Sequence, residues 1–357
     1  MKKTTKVAAA ILALSIVASV SACSGNTGAS SQAGGTASAQ SASPSASSQQ
    51  AAGLKGSITL YTSQPETDIQ ALIKAFNKDQ PNITVNYFRS GTEQVVSKIL
   101  AEQKAGSVKA DLLLVSDAAT FETLKSNNLL MSYVSPELKG IGSDYYDADH
   151  TYTGTKIIST GIMVNTNLVK KAPNSYKDLM NPSYTNNLVM PSPLYSGAAA
   201  YNLGVLTRTT GLGWDFYKAM KTENVSVQQG NGAVEKAVLA GQKSCGIIVD
   251  YMALRDKAKG SPVDFIYPNE GSLVVTEPIG IVKNTPNEKL AKAFVDYILS
   301  EDGQKATAQI GYTPIKSGVK APNGFRSAEE IKDLTYNLSD LVKTRNSDKQ
   351  EFSKLFS

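Results

Sequence analysis

Apolar residues recur along this chain in two alternating rhythms. Residues 57–62 (Ser57-Ile58-Thr59-Leu60-Tyr61-Thr62) alternate as a strand does. At 65–79, Ile69, Leu72, Ile73 and Phe76 fall at three- and four-residue spacing, which predicts a helix, and Pro81 ends it. A strand at 83–87, a helix at 93–105, a strand at 111–115 and a helix at 118–126 follow. The run Asp111-Leu112-Leu113-Leu114-Val115 is apolar without a break, as in a parallel strand covered on both faces. Such alternation predicts a parallel sheet with helices on its faces.

An irregular stretch at 140–154 interrupts the rhythm, and a strand at 156–165 restarts it. A short helix at 175–181, a strand at 187–190, helices at 198–207 and 213–221, a strand at 225–227, a helix at 232–240 and a strand at 245–250 come next. Together, 154 to about 273 reads as a second α/β unit. The run Val274-Val275-Thr276-Glu277-Pro278-Ile279-Gly280-Ile281-Val282 reads as one strand crossing back. A helix at 287–299 carries Leu290, Phe294 and Ile298 on one side. Charged helical segments fill 327–357.

The N-terminus has a different character. Lys2, Lys3 and Lys6 precede an apolar core at 7–20, too short for a stable span, and Val20-Ser21-Ala22 leads to Cys23. This is the pattern of a bacterial lipoprotein leader (1–22), with cleavage before Cys23 and lipid on its thiol. Residues 24–53 are almost all Ser, Ala, Gly, Gln and Thr, with no apolar face, and predict a flexible tether with a reach of roughly 30 Å. The formal net charge of +5 falls to +2 once those three lysines are removed. No clustered basic face remains, so nucleic acid is not an expected partner. Cys245 is the one other cysteine, and no disulfide is expected. It lies in an apolar run that predicts a buried, inert thiol.

Candidate chemistry gathers at the ends of the predicted strands, where open α/β sheets bind ligands. These ends are Thr62-Ser63-Gln64, Arg89-Ser90-Gly91-Thr92, Ser116-Asp117 and Asp250-Tyr251. Such residues also suit ordinary polar loops. Met190-Pro191-Ser192-Pro193-Leu194-Tyr195-Ser196-Gly197-Ala198 is the most informative stretch. Ser196 is a favoured N-cap, and small residues after it leave the free backbone N–H groups of a helix start open to an anion. It reads as a plain cap or as an anion site. Gly230-Asn231-Gly232 offers a second such start. The acidic, Tyr-rich loop at 144–150 holds the only histidine, His150, but no metal-ligand spacing, and predicts a solvated loop. No Ser/His/acid set and no Gly-rich phosphate loop with Lys is found, so neither catalysis nor a cofactor is expected.

At this point the residues resemble a family. The leader and tether are similar to those of solute-binding lipoproteins of ABC importers. Ile58 to Ser63, Ser90-Gly91-Thr92, Ala110 to Leu114, Pro193 to Ala198, Asn231 to Val234, Val249-Asp250-Tyr251 and Phe294 to Gln304 resemble the ferric-ion, thiamine and phosphonate group of these proteins. The resemblance covers nearly the whole chain after residue 53. It implies the type II periplasmic-binding-protein fold: two α/β lobes joined by crossing strands and closing on a ligand in the cleft. Lobe I is expected over 54–153 and 277–315, and lobe II over 154–276 and 316–357. The implied partners are a small-molecule ligand and an importer permease with its ATPase. The implied form is a monomer held by lipid at the extracellular face of the bacterial cell membrane.

In ferric binders of this group a Ser-Gly-Ala turn and a nearby Asn hold an anion that completes the iron shell. The matching positions are Ser196, Gly197, Ala198 and Asn231. Those binders also use two adjacent tyrosines. Here the pair is Tyr251-Met252, and a thioether is a poor ligand for Fe³⁺. The loop Thr62-Ser63-Gln64 lacks the His that some of them carry. An organic phosphate or phosphonate is therefore expected, its oxygens held by Ser90, Gly91, Thr92 and the turn at Ser196. Asp117, Asp250 and Glu277 are expected either to face a cationic group of the ligand, as in an aminoalkylphosphonate, or to be structural. The alternative is Fe³⁺, with Tyr251 as a ligand.

Overall fold

The alternation becomes two mixed sheets wrapped in helices in a computed structural model, which describes residues 53–357. The expected leader, Cys23 and the tether as far as residue 52 lie outside the described residues. No helix among the described residues is long and apolar enough to cross a membrane.

The first lobe opens with β1 (Gly56–Thr62), α1 (Glu66–Asp79), β2 (Ile83–Arg89), α2 (Thr92–Lys104), β3 (Leu112–Leu114), α3 (Ala118–Ser126) and β4 (Leu130–Met131). The second holds β5 (Ile158–Asn165), α4 (Pro182–Thr185), β6 (Leu188–Pro191), α5 (Gly197–Leu206), α6 (Gly213–Thr222), β7 (Ser226–Gln228), α7 (Asn231–Leu239), β8 (Cys245–Val249), α8 (Asp250–Ala258), β9 (Val263–Ile266) and β10 (Leu273–Val275). The chain returns to the first lobe with β11 (Ile279–Val282), α9 (Glu288–Leu299) and α10 (Glu301–Ile310), and ends on α11 (Leu338–Phe356).

The strand order is β2-β1-β3-β11-β4 in one sheet and β10-β5-β8-β6-β7 in the other, with β9 also on β5. Strands built by strand–helix–strand units are parallel: β1 with β2 and β3, and β6 with β7 and β8. Strands arriving from the other lobe enter from the opposite end. Hence β11 runs antiparallel to β3, and β5 antiparallel to β8. The purely parallel sheets expected from alternation are corrected on this point.

Both faces of each sheet are buried, which explains the unbroken apolar strands. In the first, Ile58, Leu60 and Leu112 face Phe76 and Phe294, while Tyr61 and Leu113 face Ile99 and Phe121. In the second, Ile162 and Val164 share one core with Phe216, and Met163 and Ile248 share another with Val234. Cys245 is fully buried, and burial pushes its thiol up, which keeps it protonated.

The apolar run 274–282 is not one strand. It splits into β10 in one sheet and β11 in the other. Glu277, at the break, has φ +38, a strained conformation for a side chain with a Cβ. Its carbonyl accepts from Thr155 Oγ1 at 2.8 Å. Around it the lobes are joined by crossing backbone: Thr155 N donates to Thr276 O (2.9 Å), Ile157 N to Thr313 O (2.8 Å) and Thr153 N to Ile279 O (3.0 Å). The acidic loop at 144–150 is structured rather than merely solvated. Lys125 Nζ bridges Asp147 (2.7 Å) and Asp149 (2.8 Å), and His150 stacks on Tyr146.

Candidate ligand cleft

Each strand that ends between the lobes hands the chain straight to a helix start. β2 leads to α2, β6 to α5, β7 to α7 and β8 to α8. A cleft of about 370 Å³ lies among these starts. The N-cap residues of α2 (Gly91) and α7 (Gly230) give no side-chain cap. Ser196 Oγ caps α5 by accepting from Ala199 N at 3.3 Å. The N–H groups of Gly197, Ala198, Asn231 and Gly232 find no acceptor among the described residues. Convergent free donors and helix dipoles make this an anion-seeking cleft.

Two cations reinforce it. Arg89 ends β2, and its Nε donates to Gln64 O at 2.9 Å. Lys236 lies on the same face of α7 as Gly232. Both line the cleft, both are exposed, and neither has a carboxylate within 4 Å among the described residues.

Ser63, Gly91, Thr92, Ser196, Gly197, Ala198, Asn231, Tyr251 and Glu277 come together around the cleft. Five other expected residues do not line it. Thr62 points into the core, where its Oγ1 accepts from Gln64 N. Gln64 is buried and donates to Glu277 Oε2 at 3.2 Å. Ser90 Oγ is bonded to the Gln94 side chain. Asp117 is fully buried as the N-cap of α3, accepting from Thr120 N at 2.8 Å and from Arg345 at 3.1 and 3.0 Å. Asp250 accepts from Ser159 N (3.2 Å) and Tyr251 N (2.8 Å). Glu277 lines the cleft, but its carboxylate is taken by Lys156. Asp117 and Glu277 are therefore neutralised by Arg345 and Lys156, while Asp250 has no cation partner and is kept from the cleft by burial.

Burial pushes the Asp250 carboxyl up to about 7, against the pull of its backbone donors. An unfolded chain titrates this group near 4. The folded state therefore holds the extra proton between about pH 4 and 7, and stability falls as pH rises through that window. Asp250→Asn removes the titration. Its melting temperature relative to the parent is expected to climb between about pH 4 and 7 and to level off above that. A constant difference in paired melts would refute this assignment.

Beneath the cleft a buried polar cluster joins the lobes. Asp68 of α1 pairs with Arg255 of α8 at 2.8 Å and accepts from Tyr312 Oη at 2.6 Å. The rings of Tyr251 and Tyr312 lie 4.5 Å apart, with the Arg255 guanidinium 4.6 and 4.7 Å from their centres. Burial raises both phenols, most directly opposing ionisation of Tyr251. The sequence reading left Tyr195, Gln229, Lys236, Arg255 and Tyr312 unassigned. Two of them carry a local signal: Tyr195 directly precedes the Ser196 cap, and Lys236 lies four residues after Gly232 on α7.

Two α/β lobes with strand ends and helix starts facing an interlobe cleft make up the type II periplasmic-binding-protein fold. AfuA from Actinobacillus pleuropneumoniae, solved with fructose-6-phosphate bound, superposes with a TM-score of 0.75 at 22% identity, over 85% of this chain and 97% of that one. More particularly, residues 71–333 match the family model of bacterial extracellular solute-binding proteins, and the chain belongs to that family. An Fe(3+)-binding periplasmic protein of Serratia marcescens is 25% identical over 266 residues, 71% of this chain and 77% of that protein. A Salmonella typhimurium periplasmic protein named for 2-aminoethylphosphonate binding is 22% identical over 262 residues, 70% of this chain and 74% of that protein.

Proposed function

We propose that the protein captures a small organic phosphate or phosphonate between its lobes and delivers it to the permease of an ABC importer driven by an ATPase. One observation carries the ligand class. Four helix starts converge on the cleft together with Arg89 and Lys236, and no free carboxylate opposes them. A phosphate monoester, with two negative charges and three terminal oxygens, matches that set. An amine on the ligand finds no free acid, so a phosphate ester of a neutral body, such as a sugar, fits better than an aminoalkylphosphonate. The fructose-6-phosphate bound by AfuA supports this choice. The leader and Cys23 support a lipid-held monomer at the outer face of the membrane. Catalysis has no group assigned to it.

Iron is the competing cargo, since a relative is named for it. Tyr251 would be its phenolate, but its neighbour is Met252, whose thioether is a poor ligand for Fe³⁺. Calorimetric titration with fructose-6-phosphate, 2-aminoethylphosphonate and Fe³⁺ plus phosphate decides the class. The sugar phosphate is expected to bind tightest. Tight Fe³⁺ binding with no phosphate-ester binding would overturn the proposal.

The lobes already touch across the cleft. A Cβ on Gly197 would stand 2.8 Å from the Thr92 side chain, and one on Gly91 2.7 Å from the Tyr195 ring and carbonyl. Gly197→Ala is expected to wedge the lobes apart and weaken sugar-phosphate binding by about tenfold, as overpacking of about 1–3 kcal/mol implies. Its melting temperature should hold, because the clash exists only between lobes. Loss of stability with unchanged affinity would contradict that geometry.

A further inference from the structure

The last helix packs its apolar face mainly on the second lobe, with Ala119 of α3 in the same cluster, and grips the first lobe by its charges. Leu341 and Phe352 of α11 are buried in the second lobe's core, and the Phe352 ring meets Tyr217 at 5.8 Å. Asp348 pairs with Arg208 at 2.8 Å, and Leu341 packs so close to α5 that a Cβ on Gly204 would come within 2.7 Å of it. These contacts fix α11 to the lobe that carries Ser196 and Asn231.

One turn apart on α11, Arg345 and Lys349 reach the first lobe. Arg345 is nearly buried. Its Nη1 and Nη2 fork onto the two oxygens of Asp117 at 3.1 and 3.0 Å, and Nη2 also meets Glu93 Oε1 at 2.7 Å. Lys349 takes the other Glu93 oxygen. Both carboxylates sit at helix starts beside the cleft. Glu93 follows Thr92 in the first turn of α2, and Asp117 follows Ser116 and caps α3. The first-lobe groups facing the ligand are thus held, one residue away, by cations rooted in the other lobe.

We propose that Arg345 and Lys349 form a latch across the lobes that stabilises the closed cleft and sets how long a solute stays bound, without touching the solute. They are positioning residues. Breaking the latch lets the lobes part more readily. It also unmasks the Glu93 carboxylate next to an anion site, where like charge opposes the ligand.

Arg345→Ala leaves the Asp117 charge buried without its partner and risks unfolding. Lys349→Ala and Glu93→Gln are the working variants, and Arg345→Lys is the conservative one, which keeps the charge but not the fork. Two measurements on the full chain decide the matter. In small-angle X-ray scattering of ligand-free protein, Lys349→Ala and Glu93→Gln are expected to have a larger radius of gyration than the parent. In stopped-flow with fructose-6-phosphate as probe, Lys349→Ala is expected to release it about tenfold faster with association within about twofold, since such effects fall mainly on dissociation. Variants that melt like the parent, scatter like it and release the probe at its rate would overturn the latch. The scattering arm needs no ligand. If the parent itself fails to bind the probe, the phosphate reading falls while scattering still judges the latch.

Discussion

An Arg89→Gln, Lys236→Gln double variant is expected to bind a phosphate monoester at least about a hundredfold more weakly than the parent, while its stability falls by no more than the one hydrogen bond from Arg89 to Gln64 O, about 1 kcal/mol. A hydrogen bond to a charged group contributes about 1.5–3 kcal/mol. Two of them amount to roughly two to four powers of ten in Kd. A helix dipole contributes about 0.3–1 kcal/mol at an exposed terminus, so the converging starts orient the anion while the two cations supply most of the binding energy. Both side chains are exposed and neither has a carboxylate partner among the described residues, so truncating them leaves no buried charge and removes one hydrogen bond, from Arg89 Nε to Gln64 O. Salt gives an independent check. The parent's affinity should fall as ionic strength rises, and the double variant's should respond much less. Calorimetry that finds less than about a threefold loss would mean that the anion is held by the helix starts alone.

The local charge balance explains why those two cations matter so much. Four acids lie at or just behind the cleft; three have cation partners, Glu277 with Lys156, Asp117 with Arg345, and Glu93 with Arg345 and Lys349, and the fourth, Asp250, is buried with its carboxyl pushed up to about 7. Their fields largely cancel. What remains to face the solute is Arg89, Lys236 and the free N–H groups. A cation in the cleft would meet this positive surface with no carboxylate to offset it. The same pairing turns the aminoalkylphosphonate expectation toward a phosphate on a neutral body.

The scaffold was legible because its signals are local. The helix α3 falls on the residues its periodicity predicts, and Ser196 caps α5 as its residue type suggests. The break between β10 and β11 was hidden because the apolar run is continuous on both sides of it. Glu277-Pro278 was the one available sign, and only the two sheets reveal what it does. Arg89 and Lys236 were hard to see because an exposed cation reads like any surface charge until the cleft gives it a neighbour. Asp117 and Asp250 were visible as acids at strand ends, but nothing local told which way they turn. At Asp117, φ +72 and the capping of Thr120 N aim the carboxylate inward to Arg345, far along the chain. The helix α8 follows β8 with no residue between them to signal a turn, so no element was expected there, although Gly260-Ser261-Pro262 marks the turn that leads on to β9.

Lys156→Met is expected to cost about 3–5 kcal/mol of stability, the range for leaving one partner of a buried ion pair uncompensated. The side chains of Lys156 and Glu277 are only 3% and 5% exposed. Without the lysine, the Glu277 carboxylate keeps a single neutral donor, Gln64 Nε2. With its side chain only 5% exposed, water replaces little of the lost partner, and its backbone is already strained. The ammonium also lies 4.9 Å from the centre of the Tyr312 ring, so its loss strips that face of a cation. Adding Glu277→Gln to Lys156→Met removes the orphaned charge and keeps the side chain's shape. That double variant should recover most of the loss in urea midpoint, giving a coupling energy of several kcal/mol, above the usual range of about 0.5–3 kcal/mol for neighbours. If the single and double variants unfold at the same urea concentration, the pair is compensated by solvent and the crossing is wetter than its burial implies. If the double variant recovers stability but binds solute more weakly, the pair does more than hold the chain. It fixes the strained turn at Glu277, which sits on both the hinge and the wall of the cleft, and so ties lobe closure to the shape of the site.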